Sequence, residues 1–318
     1  MDLAKTCGVD IDILEEKIME LLNTDIDLPI SYKNRLLELI FSKGKRLRPI
    51  FTVLGSYFGN KKVDNIYTIA AVFELIHTAS LVHDDIIDNA DVRRGTPTLH
   101  IQYDTYKALI LGDYLVALNC GVISSLKIEH IYHENFSLTD LCDAEIIQQN
   151  LLYNFDIKFN EYINNIGNKT ALLIVASIIC GAKLADANQK TLGILAEYAF
   201  NAGIAFQIMD DILDFTQEKI HLGKPNGHDL ISGIITLPVI LALKKKNYRK
   251  KIACLSAKSP KDDFLECIKL IQKSRAIKKS KKVMKKYIEK AKNTLRKLKH
   301  PKKGLLKQIL VVLEQRTQ

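Results

Sequence analysis

Two runs of the pattern Asp-Asp-x-x-Asp dominate the chemistry open to this chain. The first is His83-Asp84-Asp85-Ile86-Ile87-Asp88; the second lies within Gln207-Ile208-Met209-Asp210-Asp211-Ile212-Leu213-Asp214. Both sit in apolar, helix-forming surroundings. At about 100° of rotation per residue, Asp84 and Asp88 fall one turn apart on one helix face, with Asp85 beside them. Asp210, Asp211 and Asp214 repeat the arrangement, so three carboxylates are expected to converge in each cluster. Carboxylates gathered among Leu, Val, Ile and Met repel one another and are costly to bury unpaired. Each cluster therefore requires a cation. No Cys or His pair stands at metal-ligand spacing, and oxygen-only donors favour a hard ion, Mg²⁺. One such cluster is usually a solvated acidic face. Two with identical spacing, both inside apolar helices, make that reading a poor one.

Metal-binding carboxylates imply a polyanionic ligand, and basic side chains stand where one would need them. Lys45, Arg46 and Arg48 crowd one short turn beside Gly44. Arg93 and Arg94 follow the first cluster, Lys169-Thr170 precedes the second, and Lys224 follows it. Arg forks match phosphate oxygens, and Lys acts as a point charge. Any one of these alone is an ordinary surface charge. Together with metal-bridged acids they describe a diphosphate site.

The elements that must position these groups read as helices throughout. Apolar spacing predicts helices over about 8–24, 31–42, 49–58, 62–88, 103–126, 136–154, 158–183, 187–217, 232–246, 261–273, 274–298 and 302–315. Breaks fall at Gly44–Pro49, Asp91–Thr98 and His221–Asp229. No stretch alternates with period two, so no sheet is expected. No Pro, Gly or Ser linker divides the chain, which reads as one all-α domain. The longest uncharged apolar run in the middle, Ala171–Ala182, has the length of a core helix rather than a bilayer span.

Composition narrows the partners. A net charge of +10 attracts nucleic acid, anionic membrane or a phosphorylated metabolite alike. The lysines cluster late, at Lys244–Lys246, Lys278–Lys282 and Lys285-Lys286. They read as solvated helix faces whose stems lie on apolar neighbours. Without a recognition motif or interleaved aromatics, no nucleic-acid partner is expected; peripheral contact with anionic lipid is the livelier alternative. The six cysteines form no C-x-x-C pair and read mostly as small buried hydrophobes. That usage, and a start at Met1–Lys5 without the charged-then-apolar order of a secretion signal, lead to the expectation of a cytoplasmic protein.

Five segments, in order, resemble the trans-polyprenyl diphosphate synthases. They are Gly44-Lys45-Arg46-Leu47-Arg48-Pro49; Leu75 to Asp88; Arg93-Arg94-Gly95; Lys169-Thr170-Ala171; and Phe206 to Asp211 running on to Gly223-Lys224-Pro225, with Asp229-Leu230 and Thr236-Leu237-Pro238 closing the match. The chain departs from the family pattern at Lys43, Thr96, Ala144 and Gly233–Thr236, none of which removes a catalytic group. The resemblance implies the isoprenoid synthase fold, an all-α helical bundle around a central cavity. It makes 1–318 one synthase domain, with the motifs in about 31–246 and a basic helical part over 247–318. It implies Mg²⁺-dependent head-to-tail condensation of isopentenyl diphosphate with an allylic diphosphate. Asp84, Asp85, Asp88 and Asp210, and more loosely Asp211 and Asp214, would hold Mg²⁺. Arg93, Lys169 and Lys224 would grip the allylic diphosphate. Lys45, Arg48, His77 and Arg94 would hold isopentenyl diphosphate, and Thr170 and Gln207 would face the developing cation. A class I terpene cyclase shares the fold but has no need of the second diphosphate site. The family usually forms homodimers, and some members work only with a small dissimilar subunit. The apolar side of the helix near 103–126 is a candidate subunit contact.

Product length follows from the same resemblance. Ala79 and Ser80 lie one turn before Asp84 on the side a growing chain would pass, where short-chain members often carry aromatics. Small residues there leave the passage open, as in synthases making about six to eight isoprene units. A shorter farnesyl- or geranylgeranyl-type product is the alternative. Ala79→Phe is expected to shorten the product, read by chromatography of labelled chains. Unchanged length would remove the argument.

Overall fold

The computed structural model describes residues 3–23, 28–42, 44–93, 95–128, 137–216 and 226–315. In chain order the helices are α1 (Leu3–Cys7), α2 (Ile11–Asn23), α3 (Ile30–Phe41), α4 (Leu47–Ser56), α5 (Ile66–Ile87), α6 (Leu99–Gln102), α7 (Thr105–Ser125), α8 (Leu138–Asn150), α9 (Phe159–Ile166), α10 (Leu172–Leu184), α11 (Gln189–Thr216), α12 (His228–Ile231), α13 (Leu237–Ala242), α14 (Lys246–Ile252), α15 (Lys261–Lys273), α16 (Ala276–Arg296) and α17 (Lys303–Gln315). A π-helical turn, Gly167–Ala171, joins α9 to α10. The all-α expectation holds. The one correction among the described residues is a two-rung antiparallel ribbon, β1 (Val92–Arg93) against β2 (Thr96–Pro97), turned at Gly95 with φ +87°. Two residues per strand are too few to leave a period-two pattern.

The helix boundaries follow local chemistry. Asp104 caps α7 by accepting the Lys107 N–H at 2.8 Å. The helix expected over 232–246 narrows to α13 and starts only at Leu237, because the chain turns at Gly233 with φ +83°. The helix expected over 158–183 is bent by the π turn.

The chain packs into two units. The first comprises Met1–Asn135, Ala176–Ala196 and Lys299–Gln308. Its centre is α5, which packs against α2, α3, α4 and α7 and buries Ile69, Ala70, Ala71, Val72, Phe73, Leu75, Ile76, Ala79 and Val82. Apolar residues on nearly every side are what a fully enclosed helix needs. Within the same unit α4 and α10 touch backbone to backbone. A Cβ on Gly55 would lie 2.1 Å from the Ile178 carbonyl oxygen, and one on Gly181 would lie 2.0 Å from that of Thr52.

The second unit comprises Phe136–Val175, Glu197–Leu298 and Ile309–Gln318. Here α16 packs on α13 and α15. It buries Ala276, Ser280, Met284, Ile288, Ala291 and Leu295 and exposes Lys278, Lys279, Lys282, Lys285 and Lys286. The solvated-face reading of these lysines therefore holds. The cysteines correct another expectation. Cys7, Cys180 and Cys267 are buried, but Cys120, Cys142 and Cys254 are exposed. Burial pushes the Cys7 thiol up to about 11 and that of Cys180 to about 12.

Among the described residues four stretches are long and apolar enough to cross a membrane, which corrects the reading based on uncharged runs alone. Three of them, Ile66–Ile87, Phe159–Leu184 and Gln189–Thr216, are 61–72% buried within the fold, so their apolarity serves the core. The fourth, α7, is only 33% buried and exposes Tyr106, Leu109 and Ile110.

One buried ion pair fixes the loop before α4. Arg46 (8% exposed) adopts the left-handed φ of +47° and places Nη1 2.5 Å from Oε1 of Glu74 (5% exposed) on α5. Removing one partner of such a pair leaves an uncompensated buried charge, at a cost of about 3–5 kcal/mol. Glu74→Ala is expected to lower stability by about 3 kcal/mol in urea unfolding; an unchanged midpoint would contradict this role.

Candidate active site

Both Asp clusters stand at the C-terminal end of a long helix. Asp84 and Asp85 occupy the last turn of α5, and Asp88 is its C-cap. Asp210, Asp211 and Asp214 occupy the last two turns of α11. Neither helix has a basic residue in its last turn. A helix C-terminus already carries partial negative charge and is ordinarily matched by Lys or Arg. Acids concentrated there raise the local negative potential further.

In the first unit the acids divide by burial. Asp85 is 3% exposed and faces Arg93. The Arg93 Nε donates at 2.7 Å and 2.9 Å to the two Asp85 oxygens, and Nη2 lies 2.7 Å from Oδ1. Two backbone features make this reach possible. Asn89 takes φ +46°, and the Ala90 N–H donates to the Asp85 carbonyl at 2.9 Å. The chain thus leaves α5 sharply and returns through β1 with Arg93 over the helix end. Asp84 and Asp88 stay half-exposed, one turn apart, with the Asp88 N–H donating to the Asp84 carbonyl at 2.8 Å. The expected convergence of three carboxylates is thereby corrected. The 100° step from Asp84 to Asp85 turns the second acid inward. Among the described residues, no three His, Cys, Asp or Glu side chains already converge on one ion.

The other predicted groups of this unit lie on α4, α5 and the loop between Gly44 and Leu47. Lys45 and Arg48 are half-buried and flank Arg46, which is held by Glu74. His77 is half-buried on α5, and its carbonyl accepts the Ser80 hydroxyl at 2.8 Å. Ala79 is 1% exposed. Arg94 lies outside the described residues, as does Lys224.

In the second unit the π turn carries Lys169 and Thr170. Such turns are rare and concentrate at functional sites because they displace side chains from regular helical positions. Gly203 lets α11 approach it closely: a Cβ there would lie 2.8 Å from Cα and Cβ of Ala171. The contact brings Thr170 to Gln207, where the hydroxyl donates to Oε1 at 2.7 Å. The Gln207 Nε2 donates to Asp211 Oδ1 at 3.0 Å, and the Tyr162 hydroxyl donates to Asp211 Oδ2 at 2.6 Å. Lys169 Nζ lies 2.6 Å from Glu145 Oε2, and Glu145 also accepts from Gln149 at 2.9 Å.

These acids also divide by burial. Asp211 is 2% exposed. Burial raises its pKa to about 6, against the hydrogen bonds from Tyr162 and Gln207 and with help from the charges of Asp210 and Asp214. Burial, and then the Asp211 charge, pushes the Tyr162 phenol well above its usual value. Asp214 is 6% exposed and accepts the Asp229 N–H at 3.3 Å. Asp210 is half-exposed.

Three groups were not singled out by sequence reasoning. Glu74 left a trace, as the one carboxylate in the apolar run 66–82. Glu145 and Tyr162 left none, since their roles arise only when α8 and α9 fold against the π turn and α11.

Each unit offers donors that fit a divalent cation. Asp84 and Asp88 in the first unit, and Asp210 in the second, are hard oxygen donors near helix ends. Mg²⁺ ordinarily takes only one or two carboxylates and completes its shell with water and substrate phosphates.

Residues 31–271 match the family model described as polyprenyl synthetase. The chain is 36% identical over 284 residues to heptaprenyl diphosphate synthase component 2 of Bacillus subtilis, covering 89% of this chain and 80% of that protein. The crystal structure of heptaprenyl diphosphate synthase from Staphylococcus aureus superposes with a TM-score of 0.88 at 32% identity, covering 100% of this chain and 98% of that one. The polyprenyl synthase from Caulobacter crescentus, complexed with calcium and isoprenyl diphosphate, gives a TM-score of 0.87 at 26% identity, with 100% and 97% covered.

Proposed function

The chain belongs to the polyprenyl synthetase family, and from that premise we propose that this prenyltransferase condenses isopentenyl diphosphate head-to-tail with an allylic diphosphate to build an all-trans polyprenyl diphosphate. The observation that carries this reading is the pair of acidic clusters at two helix C-termini, each beside a fixed basic group, Arg93 or Lys169.

The chain's own groups divide the work. Asp84, Asp85, Asp88 and Asp210, and more loosely Asp211 and Asp214, would hold Mg²⁺ on the allylic diphosphate. Bound Mg²⁺ supplies Lewis-acid neutralisation of the charge that grows on the leaving pyrophosphate. Arg93, Lys169 and Lys224 grip the same diphosphate. Both Arg93 and Lys169 already sit on a carboxylate, so each keeps its charge compensated until the ligand arrives. Lys45, Arg48, His77 and Arg94 hold the diphosphate of isopentenyl diphosphate, with Lys45 in the loop and Arg48 in the first turn of α4 on either side of the Arg46–Glu74 pair. The oxygens of Thr170 and Gln207 face the allylic cation as the C–O bond breaks. Attack by the neighbouring double bond is a proximity effect, and the departing pyrophosphate takes the proton lost at the end of the cycle. The apolar surroundings exclude the water that would quench the cation.

Buried, small Ala79 and the heptaprenyl relatives support a medium or long product. The chain acts in the cytoplasm, as one synthase domain, with peripheral membrane contact for its apolar product. A second copy covers the exposed apolar face of α7, where Tyr106 and Ile110 are 79% and 64% exposed. The component 2 relative supports a second reading, in which this chain is the catalytic member of a pair with a small dissimilar subunit.

The test is a product assay on the purified chain alone, with farnesyl diphosphate, labelled isopentenyl diphosphate and Mg²⁺, and a chelator control. Chelator-sensitive products beyond four isoprene units are expected. Products that stop at three or four units would overturn the length assignment. No turnover would favour the missing-subunit reading if adding a candidate small chain restored it, and would contradict the function if it did not.

A further inference from the structure

In the second unit, Tyr162, Asp211, Gln207 and Thr170 form one unbroken hydrogen-bond chain, and its direction is fixed by chemistry. An ionised carboxylate can only accept. Asp211 therefore takes a proton contact from the Tyr162 hydroxyl at 2.6 Å and another from the Gln207 amide nitrogen at 3.0 Å. With its nitrogen committed to Asp211, Gln207 must turn its carbonyl oxygen the other way, where it accepts the Thr170 hydroxyl at 2.7 Å. Every proton in the chain thus points toward the buried acid. Thr170 spends its only hydroxyl proton on Gln207, so what remains around its oxygen is lone pairs.

We propose that Tyr162 is a positioning residue: through Asp211 it locks the Gln207 amide in one orientation, so that Gln207 and Thr170 present oxygen lone pairs, and no N–H or O–H, to the cation formed in the reaction. This deepens the assigned function and rests on it. Were the Gln207 amide reversed, its N–H₂ would face Thr170, whose hydroxyl proton would then be free to point at the cation. A donor in that place repels positive charge where an acceptor attracts it. Burial enforces the lock. Tyr162 and Asp211 are 3% and 2% exposed, which leaves little room for water to substitute for the phenol. Tyr162 comes from α9 and Asp211 from α11, so the lock also ties the helix before the π turn to the helix that bears the second acidic cluster. Tyr162 lies outside every motif of the sequence comparison, and no role attaches to it until the two helices are seen together.

The test compares the full-length chain with Tyr162→Phe, which keeps the ring and removes only the donor. Condensation of farnesyl and isopentenyl diphosphates is followed together with thermal melting. The expected result is a kcat about tenfold lower with KM for both substrates essentially unchanged, beside a modest fall in melting temperature because Asp211 loses a buried donor. Unchanged kcat would overturn the proposal. So would equal losses in kcat, affinity and melting temperature, because a purely structural residue gives that pattern. A second measurement does not depend on turnover. The Gln207 side-chain amide, read by ¹⁵N NMR, is expected as one sharp, slowly exchanging pair in the parent chain and as a fast-exchanging pair in Tyr162→Phe. The same signal in both would overturn the lock even if the chain condensed no substrate. A parent chain without condensation activity but with a protected Gln207 amide would instead contradict only the assigned reaction.

Discussion

A carboxylate at the C-terminal end of a buried helix sits where the backbone is already negative and where water is scarce. This chain builds that unfavourable arrangement twice, at the ends of α5 and α11, and repeats the same spacing of acids each time. Neither helix offers a basic residue in its last turn to relieve it. The rest of the architecture answers that constraint. Arg93 returns from the β1–β2 ribbon to cover Asp85, and Tyr162 and Gln207 surround Asp211. What stays half-exposed is Asp84 and Asp88 in the first unit and Asp210 in the second.

The two clusters follow one design. In each, the second acid of the pair turns inward and is saturated by protein donors, while the first stays accessible. The inward acid does different work in the two units. Asp85 holds a guanidinium, a group able to exchange its partner for phosphate. Asp211 holds neutral donors whose value lies in their direction. Lys169 repeats the first pattern through Glu145. Fixed cations kept in place by internal acids cost little reorganisation when the leaving group develops charge, which is the electrostatic preorganisation on which this kind of catalysis depends.

Much of this was legible in the sequence. The one-turn spacing of Asp84 and Asp88 survives folding because helical periodicity alone sets it, and the long apolar stretches became helices near their expected limits. What was not legible depended on contacts between distant segments. That Arg46 turns inward onto Glu74 depends on one left-handed residue. The return of Arg93 over Asp85 depends on the sharp exit at Asn89, and the approach of α11 to the π turn depends on Gly203 beside Ala171. Helix propensity encodes none of these. The late start of the expected helix over 232–246 also escaped periodicity, because Gly233 interrupts an apolar pattern that continues on both sides of it.

The central claim is that these acids bind a diphosphate only with a divalent cation. Calorimetric titration of inorganic pyrophosphate into the purified full-length chain tests it most directly, with Mg²⁺ or with a chelator, for the parent chain and for Asp84→Asn. The account predicts binding in Mg²⁺, none with the chelator, and affinity weakened about tenfold or more in Asp84→Asn. Equal affinity with the chelator, or an unaffected Asp84→Asn chain, would contradict it.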